Sequence, residues 1–186
     1  AEDLNRYGLA VPVDQTKLAG KLTKLDKKVF YTPGFDAIFI PGRAADAGII
    51  AAQLNFHDMK VPFLGANGWN SPDFARTDDS SIDGAVFVDG FFVDSHTPAV
   101  QDFVARYKNR FEANPTLFST QGYDAAKLVL DAVRKGASSG EAVHDQLLTQ
   151  QDLSSLTGPA AFGPDGTLHR PLFLIQIKHG RFLQVN

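Results

Sequence analysis

Residues 35–65, FDAIFIPGRAADAGIIAAQLNFHDMKVPFLG, contain a complete βαβ unit. They open on Phe35-Asp36-Ala37-Ile38-Phe39-Ile40, a short run of aromatic and β-branched residues that stops at Pro41-Gly42. A run of this kind bounded by breakers is a buried strand. Residues 44–57 follow, rich in alanine, with Ile49, Ile50 and Leu54 on one side. That spacing is helical, and small side chains let the helix approach a sheet closely. Val61-Pro62-Phe63-Leu64-Gly65 is a second short strand. Strand, helix and strand within about 30 residues form a βαβ unit with parallel strands.

The same alternation continues downstream. Residues 84–92, GAVFVDGFF, are a third apolar strand introduced by Asp83-Gly84. Residues 98–111 carry Val100, Phe103, Val104, Tyr107 and Phe111, the clearest amphipathic helix in the chain, with Pro98 at its first turn and Asn114-Pro115 beyond its end. Residues 119–135 are a more broadly apolar helix, expected to be covered on most sides, with Gly136 placed as a C-terminal cap. A shorter helix over 140–149 carries Val143, Leu147 and Leu148. The tail changes character. Pro164-Asp165-Gly166 signals a turn, Pro171–Ile177 a strand, and His179-Gly180 a turn into Phe182–Val185. Upstream, residues 15–28 place Leu18, Leu22 and Leu25 along one narrow stripe among five lysines, a surface helix that ends before Pro33-Gly34. There is no internal repeat, low-complexity run or linker. These elements predict one α/β domain with a mixed sheet, closed by a β-meander.

Composition narrows the function classes. The chain has 186 residues, 44% hydrophobic and 21% charged, which is ordinary globular usage and excludes a disordered or fibrous chain. A net charge of −3 argues against nucleic acid as a partner. No apolar run reaches the about 18 residues of a membrane span, so no direct membrane insertion is expected. The absence of cysteine removes disulfides, thiolate catalysis and Cys-ligated zinc. Ala1-Glu2-Asp3-Leu4 has neither a basic nor an apolar signal region, so the chain is either cytosolic or begins after a removed segment, and the missing Met favours a processed piece.

Catalytic motifs are absent: no phosphate-binding P-loop, dinucleotide fingerprint, nucleophile elbow or zinc-protease helix occurs. The five histidines (His57, His96, His144, His169, His179) fall in five segments with no paired spacing. Asp78-Asp79 sits in a polar stretch and reads as a loop or helix cap, and the lysine-rich face of residues 17–28 reads as a solvated surface. No catalytic residue, metal or cofactor is expected. Binding is better served. In open α/β sheets, ligands collect at the carboxyl ends of parallel strands. One such end places Arg43 at a helix N-terminus, where free N–H groups favour an anion. The other, Gly65-Ala66-Asn67-Gly68-Trp69-Asn70, exposes an amide and leaves Trp69 two readings: a stacking platform, or a ring folded back over the sheet end.

The run from Phe35 to Phe74, with GAVFVDGFF, PAVQDFVARYKNRFEANPT, QGYDAAKLVLDAV and LTGPAAFGPDGTLHRPLFLIQIKHGRF, resembles the type I periplasmic binding proteins of the branched-chain-amino-acid-receptor kind over residues 35–183. FIPG, GANGWNSP and VFVDGFF look most like an extracytoplasmic lipoprotein branch, penicillin-binding-protein activator-like or receptor-family ligand-binding. The resemblance implies a three-layer sandwich with a mostly parallel central sheet, a single lobe of the two-lobed fold, plus the C-terminal β-meander, with the first lobe missing from this chain. It implies a periplasmic or extracytoplasmic location and ligand contacts at Gly42, Arg43, Ala44, Asn67, Gly68, Trp69, Gln121 and Tyr123. The expected ligand is an amino acid or small anion in an inter-lobe cleft, delivered to a membrane permease. The alternative is an envelope lipoprotein scaffold that activates a cell-wall (peptidoglycan) synthase without a small ligand. In amino-acid binders of this kind the GANG loop commonly carries an acid for the ligand ammonium. Asn67 supplies no charge there, and charge-assisted hydrogen bonds are roughly twice as strong as neutral ones. Together with Arg43, this suits an anionic ligand, or a cleft that no longer binds a small molecule.

Overall fold

In the computed structural model, residues 34–57, 59–71, 74 and 80–185 are described; the helix expected over 15–28 and the Asp78-Asp79 pair lie outside the described residues. β1 (Ile38–Phe39) and β2 (Phe63–Gly65) run parallel, Ile38 opposite Phe63, and α1 (Ala44–Phe56) crosses between them. β2 is again parallel to β3 (Val86–Asp89). The βαβ unit is therefore present, with shorter strands than the apolar runs suggest. The pairing nevertheless continues past β1, since the Ile40 N–H donates to the Leu64 carbonyl at 2.9 Å.

α1 approaches the sheet through alanine. Ala44, Ala47 and Ala51 are its buried positions, while Ile49 and Ile50 are exposed. The smallest side chains give the closest approach, so the larger ones turn outward. α2 (Pro98–Phe111) has the expected bounds and buries Val100, Phe103 and Val104. α3 (Leu117–Arg134) begins two residues earlier than the periodicity suggests, because Thr116 and Ser119 form a capping box. It ends as expected: Gly136, at φ 103, donates its N–H to the Val133 carbonyl, and Ala137 donates to that of Ala132. That pair of bonds is a Schellman motif. α4 (Gly140–Thr149) also has the expected bounds, capped by Ser139.

The closing strands divide between two sheets. β4 (Leu153–Ser155), β5 (Gly158–Phe162) and β6 (Leu168–His169) form an antiparallel three-stranded meander. β7 (Phe173–Lys178) and β8 (Arg181–Gln184) form a hairpin that joins the central sheet, β7 antiparallel to β3, in the order β1-β2-β3-β7-β8. The Pro164-Asp165-Gly166 turn joins β5 to β6. There the Asp165 carboxylate accepts the Thr167 backbone N–H and hydroxyl, which hold it below its ordinary pKa.

Two apolar cores follow from this division. Phe63, Phe87, Phe173, Ile175 and Ile177 from the central sheet pack with the alanines of α1 and the inner face of α2. A smaller core joins Leu128 of α3 to Leu153 and Ala160, with Leu147, Phe162 and Leu168 around it.

Candidate functional site

The carboxyl ends of β1 and β2 lie side by side because the strands are parallel. The loop after β1 turns at Gly42, whose φ of 144° lies where side chains are strained. It leads through Arg43 into α1. Arg43 is the N-cap residue, and no side chain caps the helix, so the free N–H groups of the first turn remain available to an anion. The Arg43 side chain is 84% exposed and its guanidinium pairs with Asp46 at 3.1 Å, which offsets part of its charge at the surface. Ala44 is buried in the core.

The loop after β2 is a single 3-10 turn, Asn67–Trp69. Gly68 presses against the backbone of Gly42, so closely that a Cβ there would strike the Gly42 carbonyl oxygen. This contact brings Gly42, Arg43 and the 67–68 segment into one surface. Asn67 is exposed on it.

Trp69 turns away from that surface. It is 1% exposed, edge-on to Phe74 at 5.5 Å and tilted against Phe87 at 6.3 Å. Its ring lies over Gly65, where any Cβ would collide with it. Of the two readings of Trp69, the ring folded back over the sheet end is the one the structure shows, and the ligand contact expected there is corrected: the ring covers the sheet end from within, because burying so large an apolar surface outweighs leaving it in solvent. Its Nε1–H has no acceptor among the described residues.

Gln121 and Tyr123 sit near the start of α3. Gln121 is exposed. Tyr123 is half-buried, its ring 4.8 Å from that of Phe103, and its hydroxyl accepts from Arg106 at 3.5 Å. These contacts tie Tyr123 to α2, whereas Gly42 and Gly68 meet each other directly.

Between the two groups lies a buried polar relay that the sequence did not single out. Asn70, next to Trp69, donates Nδ2–H to Asp89 at 2.7 Å and to the Phe91 carbonyl at 3.1 Å. Asp89 ends β3, is 3% exposed, and also accepts the Phe91 backbone N–H. Burial pushes its carboxyl above the ordinary pKa; the hydrogen bonds from Asn70, Phe91 and Gly90 and the charge of Arg170 pull the other way. Arg170 lies over Gly90, its Nη2 2.8 Å from where a Cβ would stand, and donates Nη1–H to Asp124 of α3 at 3.2 Å. Asp124 is 3% exposed, accepts the Leu156 N–H at 2.9 Å, and is likewise pushed up by burial. The signal available in the sequence was a carboxylate closing an apolar run, as Asp89 does in VFVD. Arg170 gave none, since only the fold brings it to Asp124.

Among the described residues, no group of three His, Asp or Glu side chains could hold a metal. The site consists of backbone turns, a helix N-terminus, the Arg43–Asp46 pair and the exposed amide of Asn67, an arrangement suited to holding a polar solute.

The profile of the periplasmic binding protein family matches residues 34–181. The chain belongs to that family. No curated protein matches it. Among solved structures it is similar to one described as a branched-chain amino acid ABC transporter from Rhodospirillum rubrum, with 27% identity and a TM-score of 0.74, over 81% of this chain and 44% of that one. It shares its fold with the substrate-binding protein LivJ of Streptococcus pneumoniae in complex with isoleucine (22% identity, TM-score 0.60, 94% of this chain and 49% of that one). The same holds for an ABC transporter substrate-binding protein of Desulfitobacterium hafniense in complex with leucine (22% identity, TM-score 0.63, 99% and 48%). The family member described here thus spans about half the length of the structures it matches.

Proposed function

We propose that this chain forms part of a non-catalytic, extracytoplasmic solute receptor of the ABC-transporter type, in which the surface at Gly42, Arg43, Asn67 and Gly68 receives a small ligand. The observation that carries this reading is the seating of the Gly68 turn on Gly42 at the carboxyl ends of two parallel strands, beside an uncapped helix N-terminus. Membership of the periplasmic binding protein family supports the class of function and the location.

The ligand is a small carboxylate, an amino acid among them. The first-turn N–H groups of α1 and the Arg43 guanidinium meet the negative end, and Asn67 offers a neutral amide to the remainder. The structures holding isoleucine and leucine support an amino acid of that kind. A second lobe closes over the ligand by a hinge motion, and the loaded receptor meets a membrane permease. Gln121 and Tyr123 border the cleft from α3.

Calorimetric titration of the full gene product with leucine, isoleucine and simple carboxylates tests the reading. Arg43→Ala is expected to weaken carboxylate binding about tenfold while leaving the fold intact. Unchanged affinity would remove Arg43 from the site.

A further inference from the structure

The turn after β2 is held from both flanks. β2 is the middle of three parallel strands, so the chain leaving its carboxyl end passes between the ends of β1 and β3. On the β1 side the hold is steric: Gly68 sits against the Gly42 carbonyl oxygen. On the β3 side it is polar. Asn70 closes the Asn67–Trp69 turn, donating its backbone N–H to the Asn67 carbonyl at 3.1 Å. Its side-chain Nδ2 donates to Asp89 Oδ2 at 2.7 Å and to the Phe91 carbonyl at 3.1 Å. The other carboxylate oxygen, Oδ1, accepts the Phe91 N–H at 3.2 Å. Trp69 and Ser71 complete the turn, donating their N–H groups to the Ala66 and Trp69 carbonyls at 3.0 and 2.7 Å.

This tie calls for a carboxylate at 89. Asp89 is buried, and a buried charge is costly unless donors surround it. Two donors arrive at two different oxygens, one from Asn70 and one from Phe91. An amide has a single acceptor oxygen and meets only one of them in place. A charge-assisted bond of 2.7 Å is also the shorter and stronger kind. The positive charge of Arg170, which lies over Gly90, adds to the hold on the carboxylate. Asn67 and Gly68, both exposed, belong to the turn that Asn70 closes, so a shift of Asn70 moves them. Every contact in the tie is made between this chain's own elements and does not depend on the rest of a two-lobed fold.

We propose that Asn70 and Asp89 are positioning residues of the candidate ligand surface: the Asp89 carboxylate, through the Asn70 amide, fixes the Asn67–Trp69 turn so that Asn67 and Gly68 are presented to a polar solute beside Arg43. This deepens the receptor reading above and rests on it. Both residues act through the turn. They hold it in one conformation before the solute arrives, which removes part of the ordering cost of binding.

Hydrogen exchange at the Trp69, Asn70 and Ser71 amides of the full gene product, without solute, reads the tie directly. Asp89→Asn is expected to speed exchange there at least about tenfold. Ile177, whose N–H is bonded to the Ala85 carbonyl in the central sheet, should stay within about twofold of wild type, whereas a general loss of stability would move it too. Leucine is the probe for the consequence: its dissociation constant should rise about tenfold in the variant. Asn70→Ser, with one hydroxyl donor for two acceptors, repeats both readings where Asp89→Asn does not fold. Wild-type exchange at the three turn amides would overturn the inference, and so would acceleration at Ile177 by the same factor. Faster exchange of the turn with unchanged leucine affinity would overturn it as well. Titrations in which the wild type binds no solute would bear on the receptor reading alone, since the exchange rates decide the tie without one.

Discussion

Trp69 and Gly65 depend on each other. The indole lies where a Gly65 side chain would stand, so the glycine is required for space. Gly65→Ala is expected to cost about 1–3 kcal/mol by overpacking, read as a fall in the urea midpoint. Trp69→Ala removes a ring that touches Phe74 and Phe87 in the main core, and is expected to cost about 3–5 kcal/mol. A Trp69→Ala protein that unfolds at the wild-type midpoint would favour the other reading, a ring at the surface as a stacking platform. Asp89 tests the buried relay. Its folded pKa is raised by burial, so between the unfolded and folded values the native state binds more protons. Its contribution therefore stabilises increasingly as the pH falls through the folded value, and that gain is complete near the unfolded one. Asp89→Asn cannot titrate. The stability of wild type relative to Asp89→Asn should rise from neutral pH down to about pH 4. A constant gap across that range would show that burial does not perturb Asp89.

At the scale of elements, helices were legible because their signals are local. Val100, Phe103 and Val104 set the buried face of α2, and Gly136 marks an end that the structure reproduces. The start of α3 was misjudged because a Thr116–Ser119 capping box lacks the usual acidic third residue. Of the site, the turns at Gly42 and Gly68 were legible as breaks after strands, but their contact was not, since it depends on parallel pairing of β1 with β2. The β4–β6 meander was legible only at its turn, and the Asp124–Arg170 pair, 46 residues apart, was not legible at all. That pair links α3 to the segment between β6 and β7. Arg170→Ala leaves the buried Asp124 without its guanidinium partner and is expected to cost about 3 kcal/mol, while the double replacement Asp124→Leu with Arg170→Met should recover most of it. Equal stability of the single and double variants would mean that the two charges do not depend on each other.

For the whole molecule, the carboxyl ends of β1 and β2 hold the candidate ligand surface. On the reading proposed above, that surface belongs to a receptor that encloses its solute between two lobes. A thermal-shift measurement on the full gene product, against leucine, isoleucine, small carboxylates and phosphates, tests this most directly. A true ligand at a hundredfold excess over its dissociation constant should stabilise the protein by about 2.7 kcal/mol, with a matching rise in melting temperature. The predicted result is such a rise for an amino acid or small carboxylate, reduced in the Arg43→Ala protein. A flat melting temperature across the whole panel would contradict the solute-receptor reading.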